Sequence, residues 1–285
     1  LAPRPSPWLW PYALLCGGSV VAGVALALAH SVGALTWPPS PGLDLSGWRA
    51  LFVHGEFWRS LAYSATLSAV TLALALALAL ALLAMLGEAL RHGWLARLVL
   101  LPLAVPPVVA ALLAVLVLGD SGVLSRCAWH LGVVTTPADF PTLVFDPLGR
   151  GIIITHVMLV TPLLLLLFDN LAMHLQLPAL MQQARALGAS RVQALRRLAW
   201  PLLLRQARPV LLVYGLALLG AYEIPLMVGA AQPTMISVTI QRAVAGYDLA
   251  QRPVGYAMAS TYLLLLVALW LALAPRALAE RAARR

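Results

Sequence analysis

Residues 178–201 read PALMQQARALGASRVQALRRLAWP, the one long polar interruption in an otherwise apolar chain. Arg185, Arg191, Arg196 and Arg197 fall within it, and Arg205 follows just past its end. The stretch reads as two short helices with a break between them. Residues 179–187 are all good helix formers. Gly188 stands where a helix C-terminus wants a residue tolerant of positive φ. Ser190 is a natural N-cap for a second helix over 191–199, and Pro201 is expected to stop its simple continuation and to mark the start of the next apolar run. Both helices are amphipathic: Leu180, Ala184 and Leu187 form one apolar stripe, and Val192, Leu195, Leu198 and Ala199 another. On charge alone, the loop reads equally well as a solvated basic connection between membrane spans.

Working outward, the rest of the chain sets the solvent. Of 285 residues, 62% are hydrophobic and 10% charged, with a mean hydropathy of +0.90. A soluble domain of this size cannot hide that much apolar surface, so a polytopic membrane protein is predicted. All 19 basic residues are arginine. The net charge of +9 sits between hydrophobic runs, which assigns it to membrane topology rather than to nucleic acid. Cys16 and Cys127 fall in different regions and toward opposite predicted faces, so neither a disulfide nor a CxxC-type metal or redox motif is expected.

Six apolar runs, 12–35, 61–86, 98–118, 151–171, 207–230 and 254–273, are read as spans of one all-α transmembrane domain covering 1–285. Ala27, Leu28 and Ala29 also mimic a signal-cleavage site, but the first run is long enough to span and is read as a retained helix. The Leu/Ala alternation of 61–86 has a period of two, yet both residues are apolar, and length and propensity favour helix over strand. The run 98–118 contains Pro102, Pro106 and Pro107 and is expected to kink where neighbouring helices satisfy its backbone. Short helices are expected at 123–131 and 237–245, and an interfacial amphipathic piece at 48–58. Turns or loops are expected at 87–97 and 137–147, and a basic tail at 276–285. Six spans place both termini on one side. With that side cytoplasmic, thirteen arginines lie inside and six outside, which also puts the 178–201 loop in the cytoplasm.

Chemistry-bearing motifs are few. A Walker A lysine is impossible in a chain without lysine, so this chain has no such route to ATP. HExxH, G-x-S-x-G and clustered His/Cys ligands are missing from the sequence, so no catalytic residue, metal site or bound cofactor is assigned. His156, inside the fourth run, reads as a helix-packing hydrogen-bonder more readily than as a ligand. Glu223 is the sharper case, flanked by Tyr222 and Pro225 in the outer half of the fifth run. A carboxylate there costs about 2.5–3.5 kcal/mol at mid-membrane on insertion scales, so it should face protein or water. It reads either as a pathway or gate residue or as a carboxylate paired with a neighbouring span or a partner subunit. Pro225 is expected to break the helix locally and open backbone polar groups toward a cavity.

The order of residues in the loop resembles that of binding-protein-dependent ABC importer permeases, whose pattern is roughly E-A-A-x-x-L-G-A-S followed by a hydrophobic–Pro step. The matching residues are Gln182, Gln183, Ala184, Arg185, Ala186, Leu187, Gly188, Ala189 and Ser190, then Leu198, Ala199, Trp200 and Pro201; Gln182 stands where the family usually has Glu. Residues 220–229 (GAYEIPLMVG) and 247–259 (YDLAQRPVGYAMA) are similar to segments of the polyamine, ferric-iron and thiamine branch. The resemblance covers spans two to six.

That resemblance implies a type I importer permease fold in a bacterial inner membrane, with a cytoplasmic coupling helix. The coupling residues would be Leu180, Gln182, Gln183, Ala184, Leu187, Gly188, Ser190, Leu195 and Pro201, with Tyr222, Glu223 and Pro225 as pathway or gate candidates. The implied partners are two ATPase subunits carrying ATP and Mg, a second permease subunit (homologous or identical), and a periplasmic or tethered solute-binding protein. The implied cargo is a small polar solute, a polyamine-like cation ahead of thiamine, ferric iron, a phosphonate or an oxyanion. An ion-coupled carrier would hold several ionisable groups in its core, where Glu223 is nearly alone. A membrane hydrolase would need a nucleophile–base pair or metal, and a scaffold would not need the Gly188, Ser190 and Pro201 arrangement.

Overall fold

The computed structural model describes residues 9–35, 42–53, 55–87, 94–136 and 139–282. Every regular element among them is helical. Five helical stretches are long and apolar enough to cross a membrane: Glu56–Leu86, Pro107–His130, Arg150–His174, Arg191–Val228 and Arg252–Leu273. Among the described residues, the expectation of six spans is therefore corrected to five. The first apolar run forms α1 (Leu9–Ser31), but the apolar helix within it, Gly17–Ser31, falls short of the length the other five reach. It also ends before residue 35: the Ser31 hydroxyl donates to Leu28 O at 2.7 Å, and Gly33 turns with φ 76°. The turn expected at 87–97 lies largely outside the described residues, but its last four residues are already helical in α4 (Trp94–Leu100).

The helices group into two compact units. The first takes residues up to Ser60 together with Ser237–Leu269. Within it, α2 (Ser46–Val53) is capped by Asp44, whose carboxylate accepts the Ser46 N–H at 2.8 Å and the Ser46 hydroxyl at 2.9 Å. Trp48 Nε1 donates to the Ser31 hydroxyl at 3.2 Å, and His30 stacks on Tyr256 at 4.5 Å between ring centroids. Gly47 is pressed against the backbone of Pro253, where a Cβ would come within 2.9 Å. The amphipathic piece expected over 48–58 is split: α2 stops at Val53, Gly55 takes φ 64°, and α3 (Glu56–Leu86) starts afresh. Ser60 and Thr239, on α3 and α12 (Ile236–Ala245), share a buried hydrogen bond of 2.9 Å. The last helix, α13, runs Arg252–Ala282, well past residue 273.

The second unit, Leu61–Ile236 with Trp270–Arg285, is built around α7 (Arg150–His174). Over half of the apolar window of α7 is buried, 56% against 22% or less in the other four candidates. Leu164, Leu165 and Phe168 of α7 meet Ala75 and Ala79 of α3 and Leu203 and Ala207 of α10 (Trp200–Leu219). The Leu/Ala run resolves as helix: Ala75 and Ala79, four apart, are fully buried, while Leu74 and Leu78 point outward. Small residues at that seam let backbones approach closely, the packing mode that works without a hydrophobic drive between helices. Pro162 sits buried inside α7 without interrupting it.

The 98–118 run is not one kinked span. It divides into α4, a 3₁₀ turn over Leu101–Ala104 and, after Pro106, α5 (Pro107–Leu118). Pro102 and Pro107 each open a helical segment, where a missing N–H costs nothing. α6 (Val123–His130) follows α5 closely, as expected for 123–131.

On the connection into α7, the Phe145 N–H donates to Val228 O at 2.9 Å, and Gly149 turns with φ 69°. Asp146, buried, clasps Arg150 by two side-chain bonds of 2.9 and 3.2 Å and accepts the Arg150 backbone N–H at 3.2 Å. The clasp satisfies an orphan donor at the start of α7. The Arg150 side chain and N–H hold the Asp146 carboxyl below the ordinary carboxylate range. A folded-state pKa below the unfolded value of about 3.9 means that this stabilisation is complete above that pH and is lost as pH falls through the lower folded value. Asp146→Asn is expected to lower the melting temperature by several degrees at neutral pH. The gap to wild type should close on acidification below about pH 4, as followed by thermal unfolding in detergent.

Candidate functional site

The two-helix loop begins with α8 (Leu177–Ala186), whose Pro178 lies in the first turn, where proline is tolerated. α8 ends in a Schellman arrangement: Gly188 N–H donates to Arg185 O at 2.9 Å and Ala189 N–H to Ala184 O at 3.0 Å. That closure needs a left-handed residue, and Gly188 has φ 91°. Ser190 then caps α9 (Arg191–Ala194), its hydroxyl accepting the Gln193 N–H at 3.2 Å while the Gln193 side chain accepts the Ser190 N–H at 2.9 Å. This capping box includes a residue missed from the sequence, although the S-x-x-Q spacing carries the signal.

Pro201 does not end the second helix. Leu195–Ala199 widen into a π-helical turn in which Trp200 N–H reaches back to Leu195 O, and the chain continues as α10 with Pro201 in its first turn. The π turn shifts the ladder by one residue, so the carbonyl that an α-helix would press against a proline ring is displaced. The second loop helix and the membrane helix are consequently continuous from Arg191 to Leu219.

The apolar stripes do not act as units. Leu180, Met181 and Leu195 pack on the central cluster, with Ala199 buried beneath them. Leu187 is 90% exposed and Val192 58%, and Gln182, Gln183, Gly188 and Ser190 are also exposed. The loop thus has a fixed base and a bare tip. Arg191 ties it to α3: its guanidinium donates to Ala84 O at 2.6 Å, filling one of the carbonyls that the end of α3 leaves unpaired.

The pathway candidates lie at the far end of α10. The helix break falls at Gly220–Tyr222, before Glu223, and not at Pro225. Glu223 opens a new short helix, α11 (Glu223–Val228), whose acidic first turn suits its dipole, and Pro225 sits harmlessly within that turn. Ile224, Pro225 and Val228 are buried, and Ile224 and Val228 join Ala111, Ala114 and Leu118 of α5 in a second cluster. Tyr222 is half-buried. Glu223 is exposed on the surface of the chain, within electrostatic reach of buried His156 on α7. His156 itself bonds Ile152 O through Nδ1 at 2.9 Å, the helix-packing role read from its sequence context. Among the described residues, no group of three His, Cys, Asp or Glu side chains is placed to hold a metal ion. The structure brings the coupling-loop residues together and keeps Tyr222, Glu223 and Pro225 as a separate group.

Two solved structures share this fold. Both are bacterial ABC transporters that import the acidic polysaccharide alginate, one of them in complex with an alginate pentasaccharide-bound periplasmic protein. The first aligns at TM-score 0.66 and 18% identity over 95% of this chain and 92% of its own, the second at 0.65 and 18% over 93% and 92%. No curated protein matches the sequence. The profile of the family described as "Binding-protein-dependent transport system inner membrane component" matches residues 81–283. With most of its length so matched, the chain belongs to the binding-protein-dependent transport system inner membrane components, the permeases of ABC importers.

Proposed function

We propose that the chain forms half of an ATP-driven import pathway and is moved through residues 178–201. The observation that carries this reading is mechanical. The tip of the loop (Leu187, Gly188, Ser190) is exposed, its base is locked into the core, and its second helix is continuous with α10. A push on the tip is then delivered to α10 and α7 as a rigid-body displacement rather than lost in a flexible linker.

Two ATPase subunits, which hold the ATP and Mg that this chain cannot, close on the loop through Leu180, Gln182, Gln183, Ala184, Leu187, Gly188, Ser190 and Leu195, with Pro201 at the junction. Gln182 offers shape and hydrogen bonds there in place of a carboxylate. A second permease, homologous or identical, completes the pathway across the apolar outer faces, and a periplasmic or tethered binding protein delivers the solute. The loop and the basic tail face the cytoplasm, the side that the arginine-rich segments 185–208 and 276–285 favour. Tyr222, Glu223 and Pro225 serve the pathway or its gate. The break at Gly220–Tyr222 and the exposed carboxylate of Glu223 support this.

The cargo is a small polar solute, with a polyamine-like cation favoured by the residue order of 220–229 and 247–259 over thiamine, ferric iron, a phosphonate or an oxyanion. The alginate carried by the two solved relatives does not transfer at 18% identity.

Gly188→Pro, or deletion of 184–190, is expected to leave the protein in the membrane while abolishing binding-protein-stimulated ATPase activity and uptake in proteoliposomes. Ser190→Ala, which removes a cap worth about 1 kcal/mol, should give a partial loss of both. Normal uptake by the deletion variant contradicts the coupling role. Glu223→Gln is expected to assemble normally and transport more slowly. Unchanged uptake rates would remove Glu223 from the pathway.

A further inference from the structure

Beside the loop, between the end of α3, α8 and the start of α10, lies a cavity of about 760 Å³. Apolar side chains form much of its wall: Leu80 and Leu83 of α3, Ala172 of α7, Leu177 and Met181 of α8, and Leu203 of α10. Two cations, Arg185 and Arg191, and the ring of Trp200 also line it. Arg191 is held in place by its bond to Ala84 O, which leaves the other guanidinium nitrogens for a further acceptor. A simple anion would satisfy the arginines and leave the chamber unfilled. A neutral apolar ligand would fill the chamber and leave the charges unmatched. An anionic head joined to a hydrocarbon tail satisfies both, and the cavity lies beside the end of α3, a helix long and apolar enough to cross a membrane.

We propose that this cavity holds one anionic phospholipid. Its phosphate pairs with Arg185 and Arg191, an acyl chain lies along Leu80, Leu83 and Leu203, and the Trp200 ring sits at headgroup depth. Guanidinium forks match phosphate geometry, and basic pockets between membrane helices are suited to acidic headgroups. The lipid then forms part of the seat on which the loop rests, between α3 and the continuous helix into α10. This site does not depend on ATPase docking and is read on the permease alone.

The test titrates phosphatidylglycerol against the purified full-length chain in detergent, with phosphatidylcholine as the background lipid, and counts bound lipid by native mass spectrometry. Wild type is expected to retain one phosphatidylglycerol per chain. The double change Arg185→Gln with Arg191→Gln should weaken that binding roughly tenfold to thirtyfold, the effect of two basic side chains at an anionic surface. Leu83→Trp, which narrows the chamber where the acyl chain is placed and keeps both charges, should also weaken binding, and it decides the matter if the arginine variant does not fold. The pair Arg196→Gln with Arg197→Gln removes the same charge from the same loop outside the cavity and should bind like wild type. Equal weakening in that control would show only general attraction of basic loops to acidic lipid, and would overturn the proposal. Unchanged binding by Leu83→Trp, or displacement of the lipid by millimolar inorganic phosphate, would overturn it as well.

Discussion

Pro201 has no N–H to give, and an unpaired or broken ladder at that point would uncouple the loop from the membrane helix behind it. The structure resolves this with one widened turn. Leu195–Ala199 adopt π geometry, Trp200 reaches back to Leu195 O, and the proline occupies the first turn of the helix that follows. The coupling proposed for this chain depends on that continuity. A loop hinged at Pro201 would bend when pushed, whereas a loop fused to α10 carries the displacement into the core.

The other end of the lever is fixed by packing. α7 is the most enclosed helix, and Leu164 and Phe168 lock it to alanines of α3 and to Leu203 and Ala207 of α10. Close-packed interiors shift as blocks because they are bistable rather than continuously deformable. The same α10 leads to the break at Gly220–Tyr222 and to Glu223, so one continuous helix separates the exposed loop from the candidate pathway residues. Outward-facing residues such as Leu112, Leu113 and Leu116 on α5 and Leu264, Val267 and Trp270 on α13 leave large apolar faces for lipid or a second subunit.

Local chemistry made the loop legible. Gly188 and Ser190 are residues whose backbone and side-chain preferences leave few alternatives, and the left-handed turn and the cap formed where they were expected. Four of the spans were legible from length and hydropathy, including the Leu/Ala run, because no other solution satisfies a backbone in hydrocarbon. What escaped was register. A π turn leaves no composition signature, so Pro201 read as a stop. Prolines at 102, 106 and 107 announced a disturbance without saying that it splits the run in two. The break near Glu223 fell at Gly220, upstream of the more conspicuous Pro225. The first run was counted as a span on its length and hydropathy, without the turn at Ser31–Gly33. The stripe through Leu187 had the right period but not the right partner, because periodicity cannot tell a face packed on its own core from one held out for another protein.

The central claim is that the tip of this loop is the handle by which an external ATPase moves the permease. A photo-crosslinking residue placed at Leu187, the most exposed apolar side chain of the loop, tests it in the assembled particle isolated from membranes. Capture of the nucleotide-hydrolysing subunit, with a yield that changes when ATP is trapped, is the predicted result. Crosslinks confined to lipid, or to a protein on the exterior face, would contradict the account.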